Sequence, residues 1–388
     1  MQIRRVESFV LKLEHEEAYL GARPDGSAVP AGYHVRPPWR SLYSSRFETL
    51  LVKVTAEDGT VGWGEGLAPV APEVLAAIVD LLLGPALVGK SALAPRQTWQ
   101  LVSGLMRERG HLVGHQADAL AAVDIACWDL AGRLTGLPVH QLLGGAFRDR
   151  VETYVSGLPR PTDAERGQLA ADWQAKGATA VKLHLGHGVD ADLATVDAVR
   201  EAAPEVKIAV DGHWAYRPAE ARRLAAGLAD RNCWFLEAPL APEDETGHRD
   251  LARRVDLPVA VGETLRNRYE FGRWLELGAM GVAQPDVGRT GITEAMVIGE
   301  LCSVHHVPVA PHHSVGLGVA LAAGVQVSAA VQDLLVFEYQ PTSTEVGQSI
   351  MGTPVQFSPD HFAVPQGPGL GVEVNEDAVR TLTEWNPS

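Results

Sequence analysis

The sequence predicts an α/β protein in which a parallel βα barrel follows an α+β domain, and two observations carry that reading. From about residue 150 onward, apolar runs that stop on an ionisable residue alternate with polar, helix-like segments, as in Val206-Lys-Ile-Ala-Val-Asp211, Cys233-Trp-Phe-Leu-Glu237 and Val259-Ala-Val-Gly-Glu263. Short continuous runs with β-branched content read as buried parallel strands. Before residue 135, by contrast, the Asp58-Gly59 pair between two strand-like runs signals an antiparallel hairpin, and helical periodicity follows it. A meander followed by helices is an α+β arrangement.

In chain order, Met1–Val10 reads as a first strand and lacks the apolar core of a secretory signal, so a cytoplasmic enzyme is expected. The segment from about residue 14 to 46 is rich in Gly and Pro but carries His34, Arg36, Trp39, Arg40 and Tyr43. Aromatic and Arg residues are unusual in a mere linker, so a substrate-binding lid is expected there. Helices are expected over Pro72–Leu83, Pro95–Met106 and Gln116–Leu134, closing a first domain at residue 135. The barrel domain is assigned to 136–340, with its first strand at Arg150–Ser156. Thr162 and Glu165 have capping-box spacing, and Gly177 closes the helix they open. The span 151–340 is short for eight full βα units, which points to a trimmed barrel. Ser314–Val331 is the most apolar long stretch, yet it contains Gln326 and Ser328 and reads as a loop and buried helix, not a membrane span. Residues 341–388 turn Pro- and Gly-rich, with short strands near Phe362–Val364 and Gly371–Val374, and are expected to pack back on the first domain.

The acids are evenly spaced at 211, 237 and 263; His184 lies 27 before Asp211, Asp286 lies 23 after Glu263, and His312 and Glu338 follow Asp286 at the step of 26. A lone acid after a strand is ordinarily an N-cap or a solvated loop residue. Seven strand ends in step, all on the carboxyl face of one barrel, are hard to reach by chance. Three buried carboxylates together are costly unless a cation neutralises them, and hard oxygen ligands on a rigid rim suit Mg²⁺. The chain has 388 residues and a net charge of −15, which argues against nucleic acid or an anionic membrane as partner. Cys127, Cys233 and Cys302 lie scattered in apolar runs and read as buried free thiols. Gly367-Pro-Gly-Leu-Gly371 lacks dinucleotide-loop spacing and reads as a turn.

Ala119–Gly132, Gly136–Gly145, the Lys182-x-His184 strand end, the three acids, Pro311-His312 and Gly367–Gly371 together resemble the enolase superfamily, mandelate racemase subgroup. The resemblance runs over nearly the whole chain. It implies a (β/α)7β barrel, a modified TIM barrel, with an N-terminal α+β capping domain completed by the C-terminal tail. It also implies Mg²⁺ on Asp211, Glu237 and Glu263, a base-bearing pair at Lys182 and His184, an Asp286–His312 dyad and an eighth-strand acid at Glu338. A small-molecule carboxylate is the expected substrate and a homo-oligomer the expected assembly.

A hydrogen α to a carboxylate is a weak acid, because losing it places two negative charges on one enediolate. A metal stabilises that charge where it develops, and a base must sit on one face of the α-carbon. His184 stands where the family carries a second lysine, so either Lys182 or His184 can be the base of that side. His213, two residues after Asp211, faces the same way as that ligand. Some acid-sugar dehydratases resemble this sequence in having Asp-x-His there, and that His can protonate a departing hydroxyl. The expectation is therefore a Mg²⁺-dependent acid-sugar dehydratase making a 2-keto-3-deoxy acid. A racemase, epimerase or cycloisomerase working through the same intermediate is the alternative.

Overall fold

A computed structural model describes residues 1–15, 32–39, 41–109 and 112–385. The first unit is built on an antiparallel sheet of three strands, β1 (Ile3–Leu13), β4 (Phe47–Ala56) and β5 (Val61–Gly66), in the order β1-β4-β5. The β4–β5 turn is the one that Asp58-Gly59 signalled: Gly59 has φ +89° and the Thr60 N–H donates to the Asp58 carboxylate at 2.9 Å. Between β1 and β4, the expected lid carries a short antiparallel ribbon of β2 (Tyr33–Val35) and β3 (Leu42–Ser44), with His34 opposite Tyr43.

Helices α1 (Pro72–Ile78), α2 (Gly84–Leu87), α3 (Pro95–Met106) and α4 (Gly114–Thr135) pack on one face of that sheet. Helix α4 is apolar on nearly every side, and Ala117–Gly132 is buried throughout. A helix of that kind must be covered on all faces. Sheet strand β5 covers one face; a Cβ at Gly62 or Gly64 would run into the α4 backbone. The barrel covers another, where the Trp128 indole N–H donates to the Thr293 hydroxyl at 2.9 Å.

The barrel strands are β6 (Arg150–Gly157), β7 (Ala180–His184), β8 (Lys207–Asp211), β9 (Leu236–Glu237), β10 (Val259–Val261) and β11 (Val282–Ala283), each paired in parallel with the next. An extended segment through Val309 bridges Ala283 and Leu334, and β12 (Phe337–Tyr339) pairs in parallel with β6, which closes the ring. After α5 (Val139–Leu142) at the entrance, helices α6 (Asp163–Ala175), α7 (Val189–Ala202), α8 (Pro218–Asp230), α9 (Glu245–Ala252), α10 (Arg268–Leu277), α11 (Val287–Val304) and α12 (Val319–Ala330) separate the strands. This is a (β/α)7β barrel under an N-terminal α+β cap. Tyr154, Ala180, Ala209, Phe235, Ala260, Val282, Ala310 and Val336, from successive strand positions, fill its centre as a packed plug. The Thr162–Glu165 capping box is formed in both directions. Every residue of α12 is buried, and among the described residues no helix is long and apolar enough to cross a membrane.

After α13 (Pro341–Gly347), the tail contributes β13 (Met351–Thr353), β14 (Phe357–Ser358), β15 (His361–Ala363), β16 (Glu373–Val374) and α14 (Glu376–Leu382). It divides between the two units. Strand β15 adds antiparallel to the start of β6, whereas α14 lies on the cap, where Glu376 meets Lys53 at 2.6 Å and the Glu384 N–H donates to the Val10 carbonyl at 2.9 Å. Pairing with β6 places part of the tail on the barrel, in addition to its expected seat on the cap.

Candidate active site

Each acid of the series reaches the same end of the barrel because each closes a parallel strand. In the strand register His184 lies beside Asp211 and Asp211 beside Glu237, while an isolated bridge pairs Asp286 with His312. The strand ends are locked to one another by backbone bonds: the Gly212 N–H donates to the Glu237 carbonyl at 2.8 Å and the Trp214 N–H to the Ala238 carbonyl at 2.7 Å. His213, Trp214 and Ala238 adopt φ of +44°, +63° and +44°. Left-handed backbone at non-glycine residues costs about 1–3 kcal/mol each and persists where the surroundings fix it. Before Glu263 only glycine fits, since Gly262 has φ +151° and its Cβ would lie 2.7 Å from the Gln284 backbone.

Lys182 and His184, two apart on β7, have separate partners. The Lys182 ammonium lies 2.7 Å from Glu237 Oε2 and 2.8 Å from Glu338 Oε1, with all three side chains at most 1% exposed. Burial works against this charge, but Glu237 and Glu338 outweigh it and hold the lysine well above its ordinary range. His184 Nε2 is 3.3 Å from the Ser156 hydroxyl and 3.9 Å from Asp211. Burial, with Lys182 adding to it, pushes its ring down to about 3, toward the neutral form.

Across the barrel, His312 Nδ1 is 2.6 Å from Asp286 Oδ2, and its Nε2 is 2.9 Å from Glu263 and 3.8 Å from Glu338. Burial disfavours a charged ring here; the surrounding Glu338 and Glu263 carboxylates overcome it and raise His312 well above its ordinary value. His313, by contrast, stacks on Phe337 with ring centroids 5.9 Å apart.

The acids of strands three to five fit a hard cation. Burial pushes both Asp211 and Glu237 up to about 7, although the Lys182 charge opposes it; Glu263 raises Asp211 further, and Asp211 raises Glu237. Glu237 Oε1 is buried without a hydrogen-bond partner. Crowded carboxylates with an orphaned oxygen are relieved by a divalent ion held through oxygen. Among the described residues, candidate ligand atoms of Glu237, Glu263 and His312 lie within 4.8 Å of one another. Asp211 stands outside that trio, with Oδ1 accepting the His213 N–H at 2.8 Å, while Glu263 is turned toward the His312 ring.

The lid ribbon reaches the barrel through aromatic contacts. The Trp39 indole N–H donates to the Leu185 carbonyl at 2.9 Å, and its ring meets His213 edge-on at 4.7 Å. Tyr43 Oη is 3.4 Å from His213 Nε2. His34 packs behind Tyr43 at 6.1 Å, and the Arg36 guanidinium lies 5.9 Å from the Trp39 ring. Arg40 lies outside the described residues. Trp39 is 7% exposed and anchors the ribbon to the barrel. A cavity of about 390 Å³ opens between ribbon, cap and barrel, bounded by Tyr43, Asp118, His213, Glu263 and His312.

Four polar residues here escaped the sequence reading. Gln284 donates to Glu237 Oε2 at 2.7 Å, and the Ser156 hydroxyl to Glu338 Oε1 at 2.6 Å. Gln284 sits two before Asp286 on the same strand run, a signal that was available. Arg266 and Arg289 line the cavity, each three residues beyond a strand-end acid, Glu263 and Asp286. That repeated offset was the missed clue.

Comparison with known proteins agrees with this architecture. Residues 34–144 match the mandelate racemase / muconate lactonizing enzyme N-terminal domain, and residues 165–378 match the enolase C-terminal domain-like family. The chain is 34% identical over 362 residues to the D-galactarolactone cycloisomerase of Agrobacterium fabrum, covering 89% of this chain and 93% of that protein. It is 32% identical over 380 residues to the D-galactonate dehydratase of Verminephrobacter eiseniae, covering 92% and 95%. A crystal structure of an enolase superfamily member from Agrobacterium tumefaciens superposes with a TM-score of 0.94 at 37% identity over 99% of both chains. With its cap, its (β/α)7β barrel and its ring of strand-end acids, the chain belongs to the mandelate racemase/muconate lactonizing enzyme group of the enolase superfamily.

Proposed function

We propose that this protein is a Mg²⁺-dependent enzyme that removes the proton α to the carboxylate of an acid sugar and then expels the oxygen on the neighbouring carbon. The observation that carries the reading is the buried His312–Asp286 pair beside the acids of strands three to five. Asp211, Glu237 and Glu263 would hold the ion. When bound, it supplies positive charge against the dianionic enediolate.

His312 takes the α-proton on Nε2, because Asp286 occupies Nδ1 and fixes the ring's orientation. Its closeness to Glu263 suits this role only once that carboxylate serves a cation; the ring then keeps Asp286 as its main partner. Lys182, clamped between two carboxylates, has its donors committed and acts as a fixed positive charge. His184, two residues on along the same strand and with a neutral ring, supports that face of the site. As the carboxylate re-forms, the electron pair left by the α-proton becomes the π bond of a C2=C3 double bond, the C3–O bond breaks, and that oxygen leaves with its bonding pair and a proton. His213, held by Tyr43 and Trp39, supplies that proton. Burial favours its neutral ring, and the negative charge developing on the substrate favours the protonated one. Tautomerisation of the enol then gives the 2-keto-3-deoxy acid.

A second reading is favoured by the cycloisomerase relative. In a lactone whose ring oxygen sits on the β-carbon, the same elimination opens the ring without losing water. Incubating the Mg²⁺-loaded enzyme with acid sugars and their lactones separates the two by product mass. Loss of one water supports the dehydratase, and an isomeric 2-keto product supports the cycloisomerase. Neither product, and no α-deuterium exchange in D₂O with any acid sugar, would overturn the proposal.

A further inference from the structure

Of the guanidinium groups lining the cavity between cap and barrel, Arg266 and Arg289 stand beside Asp118 and differ in standing. Arg266 is neutralised: its Nε lies 3.1 Å from Asp118 Oδ1, and its Nη1 donates to the Thr264 carbonyl. Arg289 leaves the first turn of α11, three residues after Asp286, and makes no side-chain hydrogen bond or ion pair among the described residues. Its Nε is buried without a partner. The other charges on the cavity wall are spoken for, since Arg46 meets Glu384 at 2.8 Å, Glu48 meets Lys12 at 3.7 Å, and Glu263 meets His312 at 2.9 Å. One Asp118 carboxylate therefore stands against two guanidinium groups.

Leaving a partly desolvated guanidinium unpaired beside a like charge is unfavourable unless an anion completes it. A planar fork of N–H donors matches a carboxylate bidentately. The chain's net charge of −15 makes a general anion trap a poor explanation, because only a local device can attract such a ligand. The reacting carboxylate is assigned above to the cation. A second anionic group is then needed to meet Arg289. Resting on the α-proton reading of the site, we propose that Arg289, backed by Arg266, recognises a distal carboxylate, so that the substrate class is diacid sugars, free or as monolactones, in preference to monocarboxylic acid sugars.

The test compares galactarate with D-galactonate, which differ only in the distal group. For the Mg²⁺-loaded full chain, both kcat/KM and calorimetric binding are measured with each acid, in wild type and in Arg289→Gln. The wild type should favour the diacid, and the variant should lower that preference by about 100-fold, mostly through KM, as expected for losing a charge-assisted bidentate contact. Arg289→Lys, which keeps the charge and loses the fork, should fall between them by about 10-fold, and it carries the test if the Gln variant does not fold. A preference for the diacid that survives in the variants overturns the proposal. So does an equal loss for both acids, which would make Arg289 an organiser of Glu263 and His312, or a wild type that prefers the monoacid. If binding shows the Arg289-dependent preference while neither acid reacts or exchanges its α-proton, the recognition stands and the reaction assigned to the site fails.

Discussion

His312 and Asp286 lie on adjacent strand ends and face each other at 2.6 Å, both nearly removed from solvent. The parallel bridge between their backbones sets that distance, so the dyad is a product of barrel register as much as of side-chain choice. His312→Asn should abolish α-deuterium incorporation into substrate in D₂O. Asp286→Asn leaves the ring in place but lets its tautomer and orientation drift, and should slow exchange by roughly 100-fold or more. Exchange that persists in His312→Asn and vanishes in His184→Ala would move the base to the opposite strand.

Glu237 meets its donors at one oxygen only, since Lys182 and Gln284 both reach Oε2 while Oε1 stays orphaned. Glu237→Gln keeps the shape and removes the charge. Mg²⁺ affinity by calorimetry and turnover should both collapse, with circular dichroism unchanged. Near-normal turnover in that variant would remove Glu237 from the metal site.

Trp39 joins the lid ribbon to the barrel through the Leu185 carbonyl and the His213 ring. Trp39→Ala should therefore free the ribbon without unfolding the barrel: KM rises, kcat falls, and the segment becomes sensitive to limited proteolysis while Tm moves by only a few degrees. Arg36→Ala, which loses the contact over the Trp39 ring, should have a smaller effect on KM. Unaltered proteolysis and kinetics in Trp39→Ala would show that the ribbon is held elsewhere.

The strand-end acids were legible because a parallel barrel repeats one device at a nearly fixed chain interval, and Asp211, Glu237, Glu263, His312 and Glu338 each close an apolar run that could be only a buried strand. The hairpin at Gly59 and the cap of α6 were legible for an equally local reason. Lys182's clamp between Glu237 and Glu338 was not, because those partners come from strands four and eight and only closure of the ring brings them together. The β2–β3 ribbon was missed because its strands are three residues each, too short to show alternation. Arg266 sits in a loop and Arg289 in the first turn of α11, and no apolar periodicity selects either. The sharing of the tail between cap and barrel depends on which edge β6 leaves open, a tertiary fact.

Asp124 ties the cap to the barrel at a site no sequence pattern singled out. Its carboxylate accepts the Thr293 N–H at 2.8 Å and the Thr293 hydroxyl at 2.6 Å, and Thr293 in turn accepts the Trp128 indole N–H. Burial pushes this carboxyl up to about 7; the two bonds from Thr293 pull it back, and the Glu294 charge opposes them. The folded value lies above the unfolded one, so between about pH 4 and pH 7 the folded state binds more protons, and this group's contribution to stability falls as pH rises. At full extent the loss is on the order of 4 kcal/mol. Asp124→Asn mimics the protonated acid and should remove this slope. Urea midpoints of both proteins at pH 5 and pH 8 check it: wild type should lose stability relative to the variant on going to pH 8. A difference that stays constant, or that shifts in favour of wild type at the higher pH, would mean that Asp124 is ionised in the fold throughout and that the Thr293 bonds outweigh its burial.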